Sequence, residues 1–225
     1  GYLPQNIYVL CGAGADASNE LEFNAGLEVI PIYVKKSADL DGSGSNDIFG
    51  AATVNNIQAV FDLLADPING VNGSDDNLTI YTTDHGGNLS NPPTIDGGTL
   101  ALWNETEMTA ADFNVQVNKI DNNGVGGADA YKIMMFMQCF SGSFATACAG
   151  PNRVINTSVA GNEVSHGWLG DAYSIFVYYW MSALNRAYPL GTPYSPGGEN
   201  VSRADLNCDN FISIYEAVVL SLIHI

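Results

Sequence analysis

One stretch constrains this chain more than any other: Tyr131-Lys-Ile-Met-Met-Phe-Met-Gln138, halted by Cys139-Phe-Ser-Gly-Ser143. Its apolar run is far too short for a membrane span, which takes about 20 residues. Small residues follow, then Phe144-Ala-Thr-Ala-Cys148. The pattern predicts a buried strand, a tight turn at Ser141-Gly142 and a helix start. Cys139 then falls at the carboxyl end of a strand and beside a helix N-terminus, where backbone N–H groups and the helix dipole favour a thiolate.

A second stretch has the same grammar. Asn77-Leu-Thr-Ile-Tyr-Thr-Thr83 is rich in β-branched residues and stops at Asp84-His85-Gly86-Gly87. A histidine and a cysteine at the carboxyl ends of two parallel strands can meet at one sheet edge. A thiol and a base within hydrogen-bond reach are the minimum for nucleophilic catalysis. The N–H groups of Gly86 and Cys139 would then form an oxyanion hole. Adjacent strand residues face opposite sides, so Asp84 is not expected to orient His85. The plainer alternative is a buried core cysteine and a turn histidine.

At these residues, Asp84-His85-Gly86 after one strand and Gln138-Cys139-Phe-Ser-Gly142 after another, the chain resembles the legumain–caspase clan of cysteine peptidases. The resemblance implies a three-layer caspase-like α/β sandwich, with a mainly parallel sheet and helices on both faces. It also implies a His85–Cys139 dyad acting on a polypeptide substrate. It maps Glu163 and Ser165, in Ala160-Gly-Asn-Glu163-Val-Ser165-His166, onto the wall of the substrate pocket. A glutamate there favours a cationic group; the alternative is a loop carboxylate facing water. No arginine stands near Cys11, where the clan's asparagine-cutting members carry one, so that specificity is not implied. His166, close to Trp168, reads as structural rather than as a second base.

Composition narrows the partners. Only 7 Lys and Arg stand against 24 Asp and Glu, for a net charge of −17. Such a surface repels nucleic acid and anionic membranes and favours cations, calcium above all. A length of 225 residues suits a single domain, 1–225. No apolar run is long enough to span a bilayer. The four cysteines, Cys11, Cys139, Cys148 and Cys208, allow at most one internal disulfide if Cys139 is a free thiol, so they do not fix the compartment. Asn-x-Ser/Thr sequons at Asn72, Asn77, Asn88, Asn104, Asn156 and Asn200 lean towards an extracellular or cell-surface glycoprotein.

Along the chain, Asn6–Cys11 reads as the first buried strand and Leu27–Val34 as a second, with Pro31 marking an edge or bulge. Asp39, Asp41 and Ser43 alternate as in a calcium loop, but no Glu closes the set, so a solvated loop comes first. Thr53 to Asp66 has the spacing of a crossover helix. Segment 86–98 is too rich in glycine, proline and asparagine to pack and reads as a loop beside the base. A short strand or hairpin follows at Thr99–Trp103, then a helix capped by Thr109. Arg153–Val159 is the next strand, and Asp171–Asn185 a helix apolar nearly all round.

The second sharp signal is near the end. Asp205-Leu-Asn207-Cys-Asp209-Asn-Phe211-Ile-Ser213-Ile-Tyr-Glu216 has EF-hand spacing. Side-chain oxygens fall at loop positions 1, 3, 5, 9 and 12, with the Phe211 carbonyl at 7. Asn210 replaces the usual glycine at position 6, and asparagine tolerates the left-handed turn best after glycine. A helix follows, with no incoming helix before it: a single dockerin-like loop.

The reading is therefore a secreted, calcium-binding cysteine endopeptidase. The rival is an extracellular structural or self-assembling surface protein, filamentous or homo-oligomeric and glycosylated, on a peptidase-like scaffold. It is motivated by the sequons, the scarce lysines and the bare apolar terminus Leu220–Ile225.

Overall fold

Two threonines start the two best-formed helices. In the computed structural model, which describes residues 3–12, 14, 19–24, 31–35, 38–40, 42–166, 175–185, 205–209 and 211–223, Thr53 caps α1 (Val54–Leu64) by accepting from Asn56 N at 3.3 Å. Thr109 caps α2 (Ala110–Asp121) by accepting from Asp112 N at 3.0 Å. Each cap satisfies an N–H that the first turn leaves open. Both helices bury one face: Ile57, Val60 and Phe61 on α1, Phe113, Val117 and Ile120 on α2.

Three parallel strands form the centre, in the order β10 (Arg153–Thr157), β9 (Tyr131–Phe136), β5 (Asn77–Thr82). The register runs unbroken from Asn77 opposite Tyr131 to Thr82 opposite Phe136, and from Arg153 opposite Lys132 to Thr157 opposite Phe136. Parallel neighbours need crossovers. Here α2 crosses between β5 and β9, and α3 (Gly142–Ala147) between β9 and β10.

Alternate residues of β9 and its extension feed two cores. Met134 and Phe136 join Phe61, Phe113, Val117 and Phe144 on the face carrying α1, α2 and α3. The Phe136 ring lies 4.6 Å from Phe144 and 5.3 Å from Phe113, centroid to centroid. Met135 and Met137 pack on the opposite face with Phe176 and Val177 of α4 (Ile175–Asn185) and Val218 of α5 (Ile214–Ile223). A strand buried on both faces has no polar alternation to show, which is why this run reads as continuously apolar. The molecule is thus a mixed α/β fold with parallel sheets and helices.

Several expectations need correction. The strands do not form one sheet among the described residues. β1 is only Val9–Leu10, half-buried, and pairs in parallel with β4 (Ile48–Gly50) as a separate two-stranded sheet. β2 (Asn19–Asn24) and β3 (Pro31–Lys35) form an antiparallel pair, with Pro31 at the strand start, where its missing N–H costs least. The segment after His85 is partly ordered: β6 (Gly86–Asn88), β7 (Gly98–Leu102) and β8 (Thr106–Thr109) make an antiparallel sheet. The first part of the expected helix at 171–185 and the first half of Leu27–Val34 lie outside the described residues.

A charge also sits inside the apolar run. Lys132 is fully buried, and its Nζ reaches Gly127 O at 2.6 Å, Ala130 O at 3.0 Å and Asp121 Oδ1 at 2.8 Å. Arg153 pairs with the same Asp121 and donates to Asn114 Oδ1 at 2.8 Å and Asn118 Oδ1 at 2.7 Å. The ammonium is tolerated because two carbonyls accept from it and the Asp121 carboxylate offsets its charge. Among the described residues, no helix is long and apolar enough to cross a membrane.

Candidate functional site

The segments carrying His85 and Cys139 meet at the carboxyl end of the central sheet. Both follow strands whose last residues, Thr82 and Phe136, stand opposite each other. Thr82 Oγ1 donates to the Gln138 carboxamide oxygen at 2.9 Å, and Met137 N to Thr82 O at 3.0 Å. Gly86 packs so closely that a Cβ there would overlap the Cys139 carbonyl oxygen and sit 3.0 Å from Gln138 Cγ. Only glycine permits that approach.

His85 is exposed, and its backbone is held on both sides. Its N–H donates to Asp84 Oδ1 at 2.6 Å, and its carbonyl accepts from Ala101 N at 3.0 Å. Asp84, in the bend between β5 and β6, therefore binds the backbone of His85. The pairing of His85 with Ala101 and of Leu89 with Gly97 (2.9 Å) sets the alternation of the ladder. Gly86, opposite Leu100, consequently turns its N–H away from β7.

The Cys139 thiol is half-buried and lies against Ser165: the Ser165 N–H donates to Sγ at 3.3 Å, and Sγ approaches the Ser165 carbonyl at 3.7 Å. One residue on, Phe140 N donates to Glu163 O at 2.7 Å. The two residues that the resemblance maps onto a pocket wall thus run alongside the Cys139–Phe140 segment. Phe140 adopts φ 58°, a left-handed conformation costly for a bulky side chain. It is held by the Glu163 bond and by Ser143 N donating to its carbonyl at 3.2 Å. Behind the turn, the Ser158 hydroxyl bonds Met137 O at 3.1 Å and lies 3.2 Å from Ser141 Oγ.

Glu163 is exposed, and its carboxylate accepts a long bond from Ala160 N at 3.4 Å. It borders a cavity of about 620 Å³ shared with Ile95, Gly142, Asn156, Gly161 and Val218. Ser165 is not among the lining residues; its backbone meets the sulfur instead. His166 is exposed.

None of the four cysteines is disulfide-bonded. Cys148 is buried in the core, and burial pushes its thiol up to about 11, with Arg153 pulling the other way. It is an inert core residue.

The EF-hand-like loop has a second role for its closing residue. Ser213 and Glu216 form a capping box on α5: Ser213 N and Oγ donate to Glu216 Oε2 at 2.9 and 2.8 Å, and Glu216 N donates to Ser213 Oγ at 3.2 Å. Glu216 Oε1 accepts from Leu206 N at 2.9 Å and Asn207 N at 3.3 Å. The Ser213 bonds, then those from Leu206 and Asn207, hold this carboxyl below the usual glutamate range, with burial opposing. Earlier in the loop, Asp209 N donates to Asp205 Oδ1 at 3.1 Å and to Asn207 Oδ1 at 3.0 Å. The side chains of Asp205, Asn207, Asp209, Ser213 and Glu216, with the Phe211 carbonyl, are all oxygen donors, which suits a hard cation. Among the described residues, however, no group of three or more His, Cys, Asp or Glu is gathered round one point. To close round an ion, Glu216 has to give up its amide donors. Asn210 lies outside the described residues; Cys208 takes the left-handed conformation in this loop, at φ 61°. In the other acidic loop, Asp39 accepts from Ser43 N at 3.0 Å and Gly44 N at 2.8 Å, while Asp41 lies outside the described residues.

The sequons separate by accessibility. Asn77 and Asn104 are exposed. Asn156 Nδ2 is buried, and Asn88 Nδ2 donates to Thr94 O at 2.8 Å and Gly161 O at 3.1 Å, so neither offers a free amide in the folded chain. Asn72, turned to its better-bonded orientation, donates to Asp66 O and Val71 O at 3.2 Å. Asn200 lies outside the described residues.

Sequence reasoning missed three residues that shape the site: Thr82, Asn88 and Ser143. Each acts through bonds to residues distant in the chain, for which local pattern carries no signal. Searches of protein-family models and of curated proteins find no match to this chain.

Proposed function

We propose that this protein is a cysteine endopeptidase of the legumain–caspase clan, built as one domain on a three-layer caspase-like sandwich. The observation that carries the reading is the contact of Gly86 with the Cys139 carbonyl, which brings the histidine and cysteine segments to one sheet edge. Helices packed on both faces of β9 support the layered architecture.

In this reading Cys139 Sγ attacks the carbonyl carbon of a peptide bond. The carbonyl oxygen gains the electron pair and takes hydrogen bonds from the N–H groups of Gly86 and Cys139. His85 accepts the thiol proton and delivers it to the leaving amine as the C–N bond breaks. Water, its proton taken by His85, then attacks the thioester, releasing the acid and restoring the thiol. Glu163, exposed beside this segment, favours a cationic group on the substrate. Calcium at Asp205–Glu216 supplies rigidity rather than chemistry, with Asp205, Asn207, Asp209, Ser213, Glu216 and the Phe211 carbonyl as ligands. The acidic surface and the open sequons at Asn77 and Asn104 support an extracellular setting.

The deciding experiment treats the full chain with a peptidyl acyloxymethyl ketone in calcium, then maps the modified residue. Modification confined to Cys139, lost in His85→Ala, supports the peptidase. No modification of Cys139 sinks it and leaves the scaffold reading, for which ordered polymers in micrographs are the positive sign.

A further inference from the structure

Ser143 is almost fully buried, yet its hydroxyl bonds two segments far from it in sequence. Gly98 N donates to Ser143 Oγ at 2.9 Å, and Oγ donates its proton to Ile95 O at 2.9 Å, with Gly161 O at 3.5 Å as a second acceptor. The segment preceding Gly98 is wound round one side chain. Asn88 Oδ1 accepts from Ser90 N at 3.0 Å and Thr94 N at 3.3 Å, while its Nδ2 donates to Thr94 O at 2.8 Å and Gly161 O at 3.1 Å. Three chain segments therefore meet: 88–98 after the base, 140–143 after the nucleophile, and 158–163 leading to Glu163.

The backbones at this junction touch. A Cβ at Gly98 would overlap the Phe140 carbonyl, and one at Gly161 would overlap the Ile95 carbonyl. These are glycines because there is no room for anything else. Ser143 sits where all three can be bonded by one hydroxyl, and Asn88 closes the arrangement from the other side.

We propose that Ser143 and Asn88 are positioning residues that hold segment 88–98 as a fixed wall of the peptide-binding cleft, at a set distance from Cys139. The proposal rests on the peptidase reading for its purpose, though not for its geometry. Neither residue touches the reacting atoms. Ser143 acts through Gly98 and Ile95, and Asn88 through Thr94 and Gly161. Prearranging a wall of this kind lowers the ordering cost of binding an extended chain, so the loss on removal falls on peptide recognition and not on the thiol.

The test compares two electrophiles on the full-length protein. Iodoacetamide reads the Cys139 thiol alone; a peptidyl acyloxymethyl ketone reads the thiol and the cleft together. In Ser143→Ala, iodoacetamide alkylates Cys139 within about twofold of wild type, while the ketone rate falls by about tenfold, one lost hydrogen-bonding anchor. Amide exchange at Leu89 and Gly97 speeds up in the same variant. Asn88→Ala, which opens the junction from its less buried side, gives the same split if Ser143→Ala does not fold. An unchanged ratio of the two rates overturns the proposal, as does unchanged amide exchange across 88–98. A wild-type protein that takes iodoacetamide but ignores the ketone removes the peptidase reading instead, and the cleft with it.

Discussion

The Thr82 hydroxyl donates to the buried Gln138 carboxamide oxygen at 2.9 Å, tying the strand that leads to His85 to the strand that leads to Cys139. Gln138 is fully buried and its Nε2 has no partner. The side chain thus already carries one unmet donor. Thr82→Val keeps the shape and removes the only donor to Oε1 among the described residues, at an expected cost of about 1–3 kcal/mol. Combining it with Gln138→Leu removes both ends of the bond and the orphan amide, and should recover more than half of that loss. Urea unfolding of the two variants checks this; a double variant no better than Thr82→Val contradicts it.

Gly86 has no space for a side chain. The two atoms nearest a Cβ placed there are backbone carbonyl oxygens, that of Cys139 and, at 2.9 Å, that of Thr99. Neither can turn aside as a flexible side chain would. Gly86→Ala should therefore push the His85 segment off the Cys139 turn, costing roughly 1–3 kcal/mol as overpacking does. The ketone should cease to label Cys139 while the protein still unfolds cooperatively. Wild-type labelling by Gly86→Ala would mean that the two segments need not touch.

The parts of this fold that were legible in the sequence are those whose cause is local. The helix after Thr53 announces itself by its apolar period of 3.6, and the one after Thr109 by a hydroxyl placed to cap it. The strand Tyr131–Phe136 is legible because burial on both faces leaves it a single charged residue. That exception, Lys132, was not legible: its partners Gly127, Ala130 and Asp121 are a turn and a helix end that folding brings underneath it. The same holds for Asn88. As Asn-Leu-Ser it reads as a glycan acceptor, whereas its amide is spent on Thr94 and Gly161. The splitting of the expected sheet was hidden too, since Val9–Leu10 is apolar whichever neighbour it takes.

Lys132 and Arg153 share one carboxylate, so the two ends of the cluster are not equivalent. Lys132→Met leaves Asp121 paired with Arg153 and should cost about 3 kcal/mol, the low end for breaking a buried pair. Asp121→Asn strands two cations whose side chains are 0% and 3% exposed. It should cost more than Lys132→Met. Urea midpoints rank them, and the reverse order would show that the carboxylate is not the hub.

Thiol chemistry separates the cysteines. Cys208 is exposed and Cys139 half-buried, while burial lifts the Cys148 thiol to about 11. At pH 8 iodoacetamide should modify Cys208 and Cys139 and spare Cys148 until the chain is unfolded in denaturant. Peptide mapping checks this, and modification of native Cys148 would mean that the core round Phe144 opens.

Glu216 stands between two uses. In the capping box its carboxylate is satisfied by Ser213, Leu206 and Asn207; in a calcium site it faces the ion. Its pKa is depressed by those donors. The stabilisation it contributes is therefore complete above the usual glutamate range and is lost as pH falls through the lower folded value. Glu216→Gln, which cannot titrate, should flatten the acid limb of stability and leave the neutral region flat. Calcium adds a separate term. At about 100-fold over its dissociation constant it should stabilise the protein by about 2.7 kcal/mol, a rise in Tm of roughly 5–10 °C for a chain this size. The rise should reverse on chelation and be absent in Glu216→Gln. A Tm indifferent to calcium in the wild-type chain would leave Glu216 as a helix cap alone, and Asp205–Glu216 as an acidic turn.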